Sequence, residues 1–271
     1  MRPVLVCALG DLTLDVSVRA RQPIAPDGDT DAEIRLRPGG QAANVAAWAA
    51  ELGATARFLG KTGDDEAGRV ARAGLEERGV AVLGPVEGRN GIICSLVSAD
   101  GERSMLADRG TATALRAEEL DPTWLEGCDH LFVSGYALML EPARGAAGRA
   151  VELAREVGAE VGVDLASWSG IRDAGPDVIR ETIEALAPDV VFANEDENRV
   201  IGGPIPGVAW ILKRGPHGCS FAGDARAALP VEHVVDTTGA GDALAAGYLV
   251  GGPELALQAA ARCVSTLGSM P

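Results

Sequence analysis

The sequence predicts an α/β fold in three layers: a mostly parallel central sheet with helices on both faces, and a small β-sheet lid at one edge. Three observations carry the prediction. Short apolar runs alternate with Ala-rich or amphipathic helical stretches, the rhythm of strands buried on both faces. Two segments, 12–36 and 90–107, instead alternate apolar with polar residues, as half-exposed strands do, and have no place inside such a sheet. Finally, the 271 residues contain no internal repeat, low-complexity tract or linker-like stretch, so residues 1–271 are expected to form one domain.

Each element follows in order. Val4–Leu9 reads as a buried strand ended by Gly10-Asp11. Leu12, Leu14, Val16 and Val18 alternate with polar residues, a loop follows around Pro23, Pro26 and Asp27-Gly28-Asp29, and Ala32, Ile34 and Leu36 alternate again. Pro38-Gly39-Gly40 breaks the pattern before an Ala-rich helix over Gln41–Leu52. Ala54–Leu59 is a strand, Asp64–Arg78 a helix with an acidic start and Gly79 at its end, and Val80–Leu83 a short strand. Gly91–Ser98 and Arg103–Ala107 flank Ala99-Asp100-Gly101-Glu102, a hairpin turn signal. Strands are expected at Leu131–Ser134, Glu160–Asp164, Val190–Ala193 and Ala209–Lys213, and helices at Ala143–Val157 and Pro176–Leu186. Cys219–Ala222 and Leu229–Val235 suggest a hairpin, and two helices around Gly251-Gly252-Pro253 close the chain.

Composition narrows the functional classes. Hydrophobic residues make up 47% but aromatic ones only 4%, so the core must be closely packed Ala, Val and Leu. A formal net charge of −15 repels nucleic acid and anionic membranes, and neither is expected as a partner. The same field does not oppose a nucleotide held locally by backbone N–H groups and Mg²⁺. Five scattered cysteines without a Cys-x-x-Cys suit small buried hydrophobes in a reducing compartment, and a cytoplasmic location is the expectation. Three histidines leave little material for a His-based metal site or a Ser-His-Asp triad.

The most informative stretch is Val235-Asp236-Thr237-Thr238-Gly239-Ala240-Gly241-Asp242. It is expected to join an incoming strand, Leu229–Val235, to a helix of small residues. The N–H groups of Gly239, Ala240 and Gly241 would then lie unpaired at a helix N-terminus, where the dipole favours an anion. Asp242, in the first turn, stands where a carboxylate could take a proton from a hydroxyl attacking a phosphoryl group. The dipole is expected to favour its ionised form. The same residues can also be an ordinary cap and turn. Pro38-Gly39-Gly40-Gln41-Ala42-Ala43-Asn44 is the second such stretch: the glycines admit a ligand close to the backbone, and Asn44 can bond a hydroxyl.

Taken in order, Gly-Gly-x-x-Ala-Asn at 39–44, Asn194-Glu195-Asp196-Glu197, Lys213-Arg214-Gly215-Pro216-His217-Gly218 and Asp-Thr-Thr-Gly-Ala-Gly-Asp at 236–242 resemble the ribokinase-like (PfkB) carbohydrate kinases, over about Val4–Gly268. The resemblance implies the ribokinase-like fold and transfer of the ATP γ-phosphoryl group to a substrate hydroxyl. It casts Asp242 as general base and Gly239, Ala240 and Gly241 as the anion hole. Asp15, Gly39, Gly40 and Asn44 would hold the sugar. Asn194, Lys213, Gly215, Gly218 and Thr238 would form the nucleotide side, with Gly218 shaping its turn. Glu197 would organise Mg²⁺ through water, and Asp236 and Thr238 match positions that hold K⁺ in several relatives.

Departures from the pattern leave the acceptor open. The segment 198–212 is short where the family has a full helix, Tyr136 stands where ribokinases carry a glutamate, Thr13 replaces an asparagine, and Arg262 falls near the adenine position. Arg103 and Arg109 can face an acidic sugar or a phosphate, or simply solvent. A nucleoside kinase of the same fold would draw a base-stacking pocket from Trp48, Phe132, Tyr136 or Trp168, and a sugar- or nucleotide-binding regulator without activity is the alternative from another class. A dinucleotide dehydrogenase is opposed by the absence of Gly-x-Gly-x-x-Gly after the first strand. An open lid edge invites pairing with a second subunit, so a homodimer through the lid is expected.

Overall fold

A computed structural model describes residues 2–97 and 103–271; the turn expected at Ala99–Glu102 and the side chain of Arg103 lie outside the described residues. The chain runs β1 (Leu5–Leu9), β2 (Thr13–Ala20), β3 (Ala32–Gly39), α1 (Gln41–Glu51), β4 (Thr55–Leu59), α2 (Glu66–Glu76), β5 (Val80–Leu83), β6 (Gly91–Val97) and β7 (Arg103–Asp108). It continues through β8 (His130–Ser134), α3 (Gly135–Leu138), α4 (Ala143–Glu156), β9 (Glu160–Asp164), α5 (Trp168–Ala174), α6 (Pro176–Leu186), β10 (Val190–Asn194) and α7 (Glu195–Val200). Then come β11 (Ala209–Lys213), β12 (Cys219–Phe221), β13 (Asp224–Arg226) and α8 (Ala240–Val264).

Strands β1, β4, β5 and β8 to β11 form the parallel body of a sheet ordered β13-β12-β11-β10-β9-β8-β1-β4-β5, with β12 and β13 antiparallel at one edge. Period-2 alternation along β1 divides the core. Cys7 and Leu9 face α4, with Ala146, Ala147 and Ala150, while Val6 and Ala8 face α1 and α8. The α1 and α8 layer is built from Ala42, Ala43, Ala46, Ala47, Ala245 and Ala246, all fully buried, and such small side chains let the helices lie close to the sheet. Helix α8 bends at Gly251 and Gly252, where φ/ψ leave the helical region, and Pro253 starts its second arm. The bend folds the arms together so tightly that a Cβ on Gly247 would sit 2.7 Å from the Ala256 Cα. No helix among the described residues is long and apolar enough to cross a membrane.

Strands β3-β2-β6-β7 form the separate lid sheet that the alternating segments predict. Its registers set two different faces. Val16, Leu36, Cys94 and Leu106 line up across one face, followed by Val18, Ile34 and Leu96; Asp15, Arg37, Ile93 and Ala107 occupy the other.

One expectation needs correction. Leu229–Val235 is not a strand: no ladder pairs it, and Leu229, Val234 and Val235 stand exposed. Strand β12 pairs with β13 instead, because Ala222 and Gly223, both at positive φ, close a tight two-residue hairpin before the chain can reach 229. Pro230 and the charged Glu232 further disfavour a buried strand there. The segment after Asn194 also carries a six-residue helix, α7, before Gly202-Gly203 ends it, and α5 forms behind a Ser167 cap.

Candidate active site

Parallel strands deliver their last residues to one edge of the sheet, and the polar residues that could do chemistry collect there. Asp11 follows β1, Ser134 ends β8, Asp164 ends β9, Asn194 ends β10 and Lys213 ends β11. In open parallel sheets this carboxyl edge is where ligands bind. Helix α8 starts beside it, placing Asp242 in its first turn at partial exposure.

The turn into α8 leaves donors available. Gly239 is the N-cap at φ +79, and a Cβ on it would lie 2.6 Å from Ser269 Cα, so glycine is required on both counts. The amide of Ala240 leans on the Thr237 carbonyl at 3.4 Å, whereas those of Gly239, Gly241 and Asp242 have no described acceptor. Asp236 braces the loop below: one of its oxygens accepts from Thr238 N and Oγ1 at 2.9 and 2.7 Å, the other from Gly268 N at 3.1 Å. The Cys263 thiol donates to the Thr238 carbonyl at 3.4 Å.

Around Asp242 the charges are tightly coupled. Asn44 Nδ2 donates to Asp242 Oδ2 at 2.7 Å, and Ser269 Oγ donates to Asn44 Oδ1 at 3.0 Å. Trp48 Nε1 in turn fixes the Ser269 carbonyl at 2.9 Å. Burial pushes the Asp242 carboxyl up to about 7, with Asp164 adding to the rise; the Asn44 bond and Lys213 pull the other way. Desolvation and a like charge thus outweigh the helix N-terminus, which was expected to favour the ionised form. Lys213 Nζ binds the fully buried Asp164 at 2.7 Å and runs alongside Gly241, where a Cβ would meet Nζ at 3.3 Å. Burial lowers the affinity of Lys213 for its proton, but Asp164, Glu197 and Asp242 outweigh that and hold its pKa above the usual lysine value.

Asn194 and Glu197 form a reciprocal cap on α7. Asn194 Oδ1 accepts from Glu197 N and Glu197 Oε2 accepts from Asn194 N, both at 2.8 Å. Glu197 is buried, and burial pushes its pKa up against the pull of Lys213. Across the cleft, Asp15 on the inner lid face packs on Gly39 so closely that a Cβ there would lie 2.2 Å from its carboxylate. Thr13 Oγ1 donates to Asp15 Oδ1 at 2.8 Å, and Gly40, at φ +100, lets the chain turn from β3 into α1 against the Asp11 carbonyl. Gly215 and Gly218 lie in the turn after β11, and no described hydrogen bond joins them to Asp242 or Lys213. A Cβ on Gly218 would strike the Arg226 carbonyl at 2.0 Å, so this glycine shapes the hairpin.

The cluster contains residues that motif reading passed over: Asp164, Ser269, and Ser134 with Gln41, whose side chains bond at 2.7 Å. For Asp164 a signal existed, a carboxylate closing an apolar strand; Ser269 had none, because only the packing of the chain's last turn against Trp48 brings it in.

A three-layer sheet with a lid, and a carboxylate beside free helix N-terminal amides at its carboxyl edge, define a phosphotransferase of the ribokinase-like class. The profile of the pfkB family carbohydrate kinases matches residues 4–204 and 206–270, and the chain belongs to that family. It is 34% identical over 284 residues to an ATP-dependent ribose-1-phosphate kinase of Halopiger xanaduensis, covering 96% of this chain and 90% of that protein. Fructokinase-1 of Oryza sativa subsp. japonica is 32% identical over 78% of this chain and 72% of its own length. Among solved structures, the adenosine kinase from Sinorhizobium meliloti superposes with a TM-score of 0.84 at 22% identity, over 100% of this chain and 96% of that one. A putative ribokinase II from E. coli in complex with ATP and Mg²⁺ superposes at 0.81 and 22% identity, over 100% and 95%.

Proposed function

We propose that this kinase transfers the γ-phosphoryl group of ATP to a hydroxyl of a sugar or sugar-like molecule, with Asp242 as general base and the amides of Gly239, Ala240 and Gly241 as the anion hole. The observation that carries the reading is Asp242 itself: a carboxyl pushed up to about 7, oriented by Asn44, one residue beyond the Gly241 amide, which like that of Gly239 has no described acceptor. A base poised near the working pH takes the acceptor's proton as its oxygen attacks phosphorus, and the amides stabilise charge on the phosphoryl oxygens. Lys213, clamped on Asp164 beside Gly241, adds fixed positive charge on the nucleotide side. Asp15, with Gly39 and Gly40 clearing the space beneath it, would hold acceptor hydroxyls. Asn44 is better supported as the group that orients the base than as a sugar ligand, since both ends of its amide are engaged.

No three acidic, histidine or cysteine side chains among the described residues converge as a direct metal cage. That donor set fits Mg²⁺ held by phosphate oxygens and water, with Asn194 and Glu197 in an outer role, where the ion would neutralise phosphate charge. Asp236 and Thr238 are the residues that would hold K⁺, and both Asp236 oxygens also brace the loop through Thr238 and Gly268.

The nucleoside reading has less support. Trp48 and Phe132 are core residues, and the rings of Trp168 and Tyr136 carry the guanidinium groups of Arg172 and Arg109. For assembly, the outer lid face favours a homodimer: Ile34, Leu36 and Leu106 lie 62%, 57% and 60% exposed on one apolar surface. A coupled ATP-consumption screen over sugars, sugar phosphates, sugar acids and nucleosides tests the activity. Asp242→Asn is expected to fold normally and to lower kcat by roughly 10²–10⁴-fold on the best acceptor. Near-normal turnover in that variant removes Asp242 from the chemistry, and no turnover with any acceptor leaves the regulator.

A further inference from the structure

We propose that Ser269 and Arg37 are positioning residues for the phosphoryl transfer: through the turn at 265–269 they tie strand β3 of the lid to the Asn44 amide and keep its NH₂ end on the base. This rests on the kinase reading above. Asn44 is ambiguous by itself, because its side chain ends in a donor and an acceptor of nearly the same shape. Only the Nδ2 end supports an ionised Asp242, to which it donates at 2.7 Å. The hydroxyl of Ser269, donating to Oδ1 at 3.0 Å, fixes which end faces the carboxylate. Without it the amide can turn over, and Oδ1 beside Asp242 would favour the protonated carboxyl, a base already carrying its proton.

Ser269 follows α8 in an irregular turn that is gripped from outside at three successive residues. Arg37 Nη1 donates to the Leu267 carbonyl, Asp236 Oδ2 accepts from Gly268 N at 3.1 Å, and Trp48 Nε1 donates to the Ser269 carbonyl at 2.9 Å. Gly268, at φ +99, leaves room for the guanidinium: a Cβ there would collide with Arg37 Nη1. Of these three grips, Trp48 belongs to α1 and Asp236 to the loop before α8, both in the body of the fold, whereas Arg37 comes from the lid. Its register partner on β2 is Asp15, the residue proposed to hold acceptor hydroxyls. An acceptor drawn onto Asp15 therefore steadies the strand pair that carries Arg37, and that strand pair holds the turn that aims the base. The path runs from Arg37 through Leu267, Ser269 and Asn44 to Asp242, with a hydrogen bond at each step that is not made by the chain itself.

The native chain, Ser269→Ala, Arg37→Met, Arg37→Lys and the double variant Ser269→Ala with Arg37→Met are compared in two ways. One is ATP turnover on the best acceptor of the screen. The other, without ATP or acceptor, is NMR titration of the Asp242 carboxyl carbon, whose resonance is identified by its loss in Asp242→Asn. Asp11, Asp164, Lys213 and Cys263 also face Asp242 and are unchanged in the compared variants. Loss of one hydrogen bond to a charged group predicts, for Ser269→Ala, a kcat about tenfold lower at neutral pH, little change in KM, and a titration midpoint about one pH unit above native. Arg37→Met should move both readings in the same direction. Arg37→Lys keeps a donor for the Leu267 carbonyl and should recover most of the loss. On the Ser269→Ala background Arg37→Met should add little, because both act through one amide. A midpoint unmoved in Ser269→Ala or in Arg37→Met overturns the inference. So does an Arg37→Met effect that persists in full on the Ser269→Ala background, since the missing charge would then act on Asp242 through space. A rise in KM alone in Arg37→Met overturns it too, making Arg37 an acceptor ligand. Shifted midpoints in a protein that phosphorylates no acceptor sustain the link to Asp242 and sink only the kinase reading.

Discussion

At the scale of single residues, the protonation of Asp242 sets the expected pH dependence. Its carboxyl is pushed up to about 7 by burial and Asp164, so below that pH the base is increasingly occupied by its own proton. The profile of kcat/KM should climb about tenfold per pH unit on the acid side and level off above neutrality. Asn44 supplies a test of what orients the base. Its 2.7 Å bond favours the charged form, so Asn44→Ala should lower activity and move the acid limb to higher pH. A limb that stays in place would mean that Asn44 only packs against Ser269. Gly239→Ala meets both a positive φ and Ser269, and is expected to destabilise the fold by about 1–3 kcal/mol in chemical denaturation while displacing Ser269 from Asn44.

Elements bring those residues together, and their ends matter more than their lengths. Strands β9 and β11 sit on either side of β10, so Asp164 and Lys213 meet across one intervening strand. Lys213→Met would leave the fully buried Asp164 without its ammonium. A loss of about 3–5 kcal/mol in urea melts is expected, larger than for an exposed ion pair such as that of Arg69 with Glu66. The lid makes the opposite use of its two faces. Its inner rows carry Asp15, while the outer rows are apolar, with Ile34, Leu36 and Leu106 exposed. Leu36→Asp combined with Leu106→Asp should shift the molar mass measured by light scattering from dimer to monomer; a native protein already monomeric at micromolar concentration would discard the dimer.

For the molecule as a whole, placing carboxylates at one sheet edge of a chain with net charge −15 has a cost in stability. The pKa of Asp242 rises from 3.8 to about 7 on folding, so the folded state holds a proton that the unfolded chain releases between those values. The penalty is absent below about pH 4, grows as pH rises and is complete above about pH 7. Asp242→Asn removes it. That variant should therefore melt at a higher temperature than the native protein at pH 8 and lose the advantage by pH 4, even as turnover falls. A melting difference independent of pH would show that Asp242 ionises in the fold as it does in water.

Much of this was legible in the linear order of residues. Apolar runs and their intervals marked the parallel strands, alternation marked the lid, and the glycines at 40 and 239 marked turns at positive φ, because each of these signals depends on chemistry within a few positions of chain. The motifs at 39–44, 194–197, 213–218 and 236–242 pointed to the family. Contacts over long separations could not be read that way. Asn44 reaches Asp242 across 198 positions, Ser269 completes the pair from the chain's last turn, and Arg109 finds Tyr136 through the lid. The exposed run at 229–235 looked like a strand because apolar character alone does not say whether a neighbouring strand is available. The tertiary structure decided which carboxylate is buried, which cation is spent, and hence how acidic Asp242 is, because desolvation and charge coupling depend on what the folded chain packs around a group.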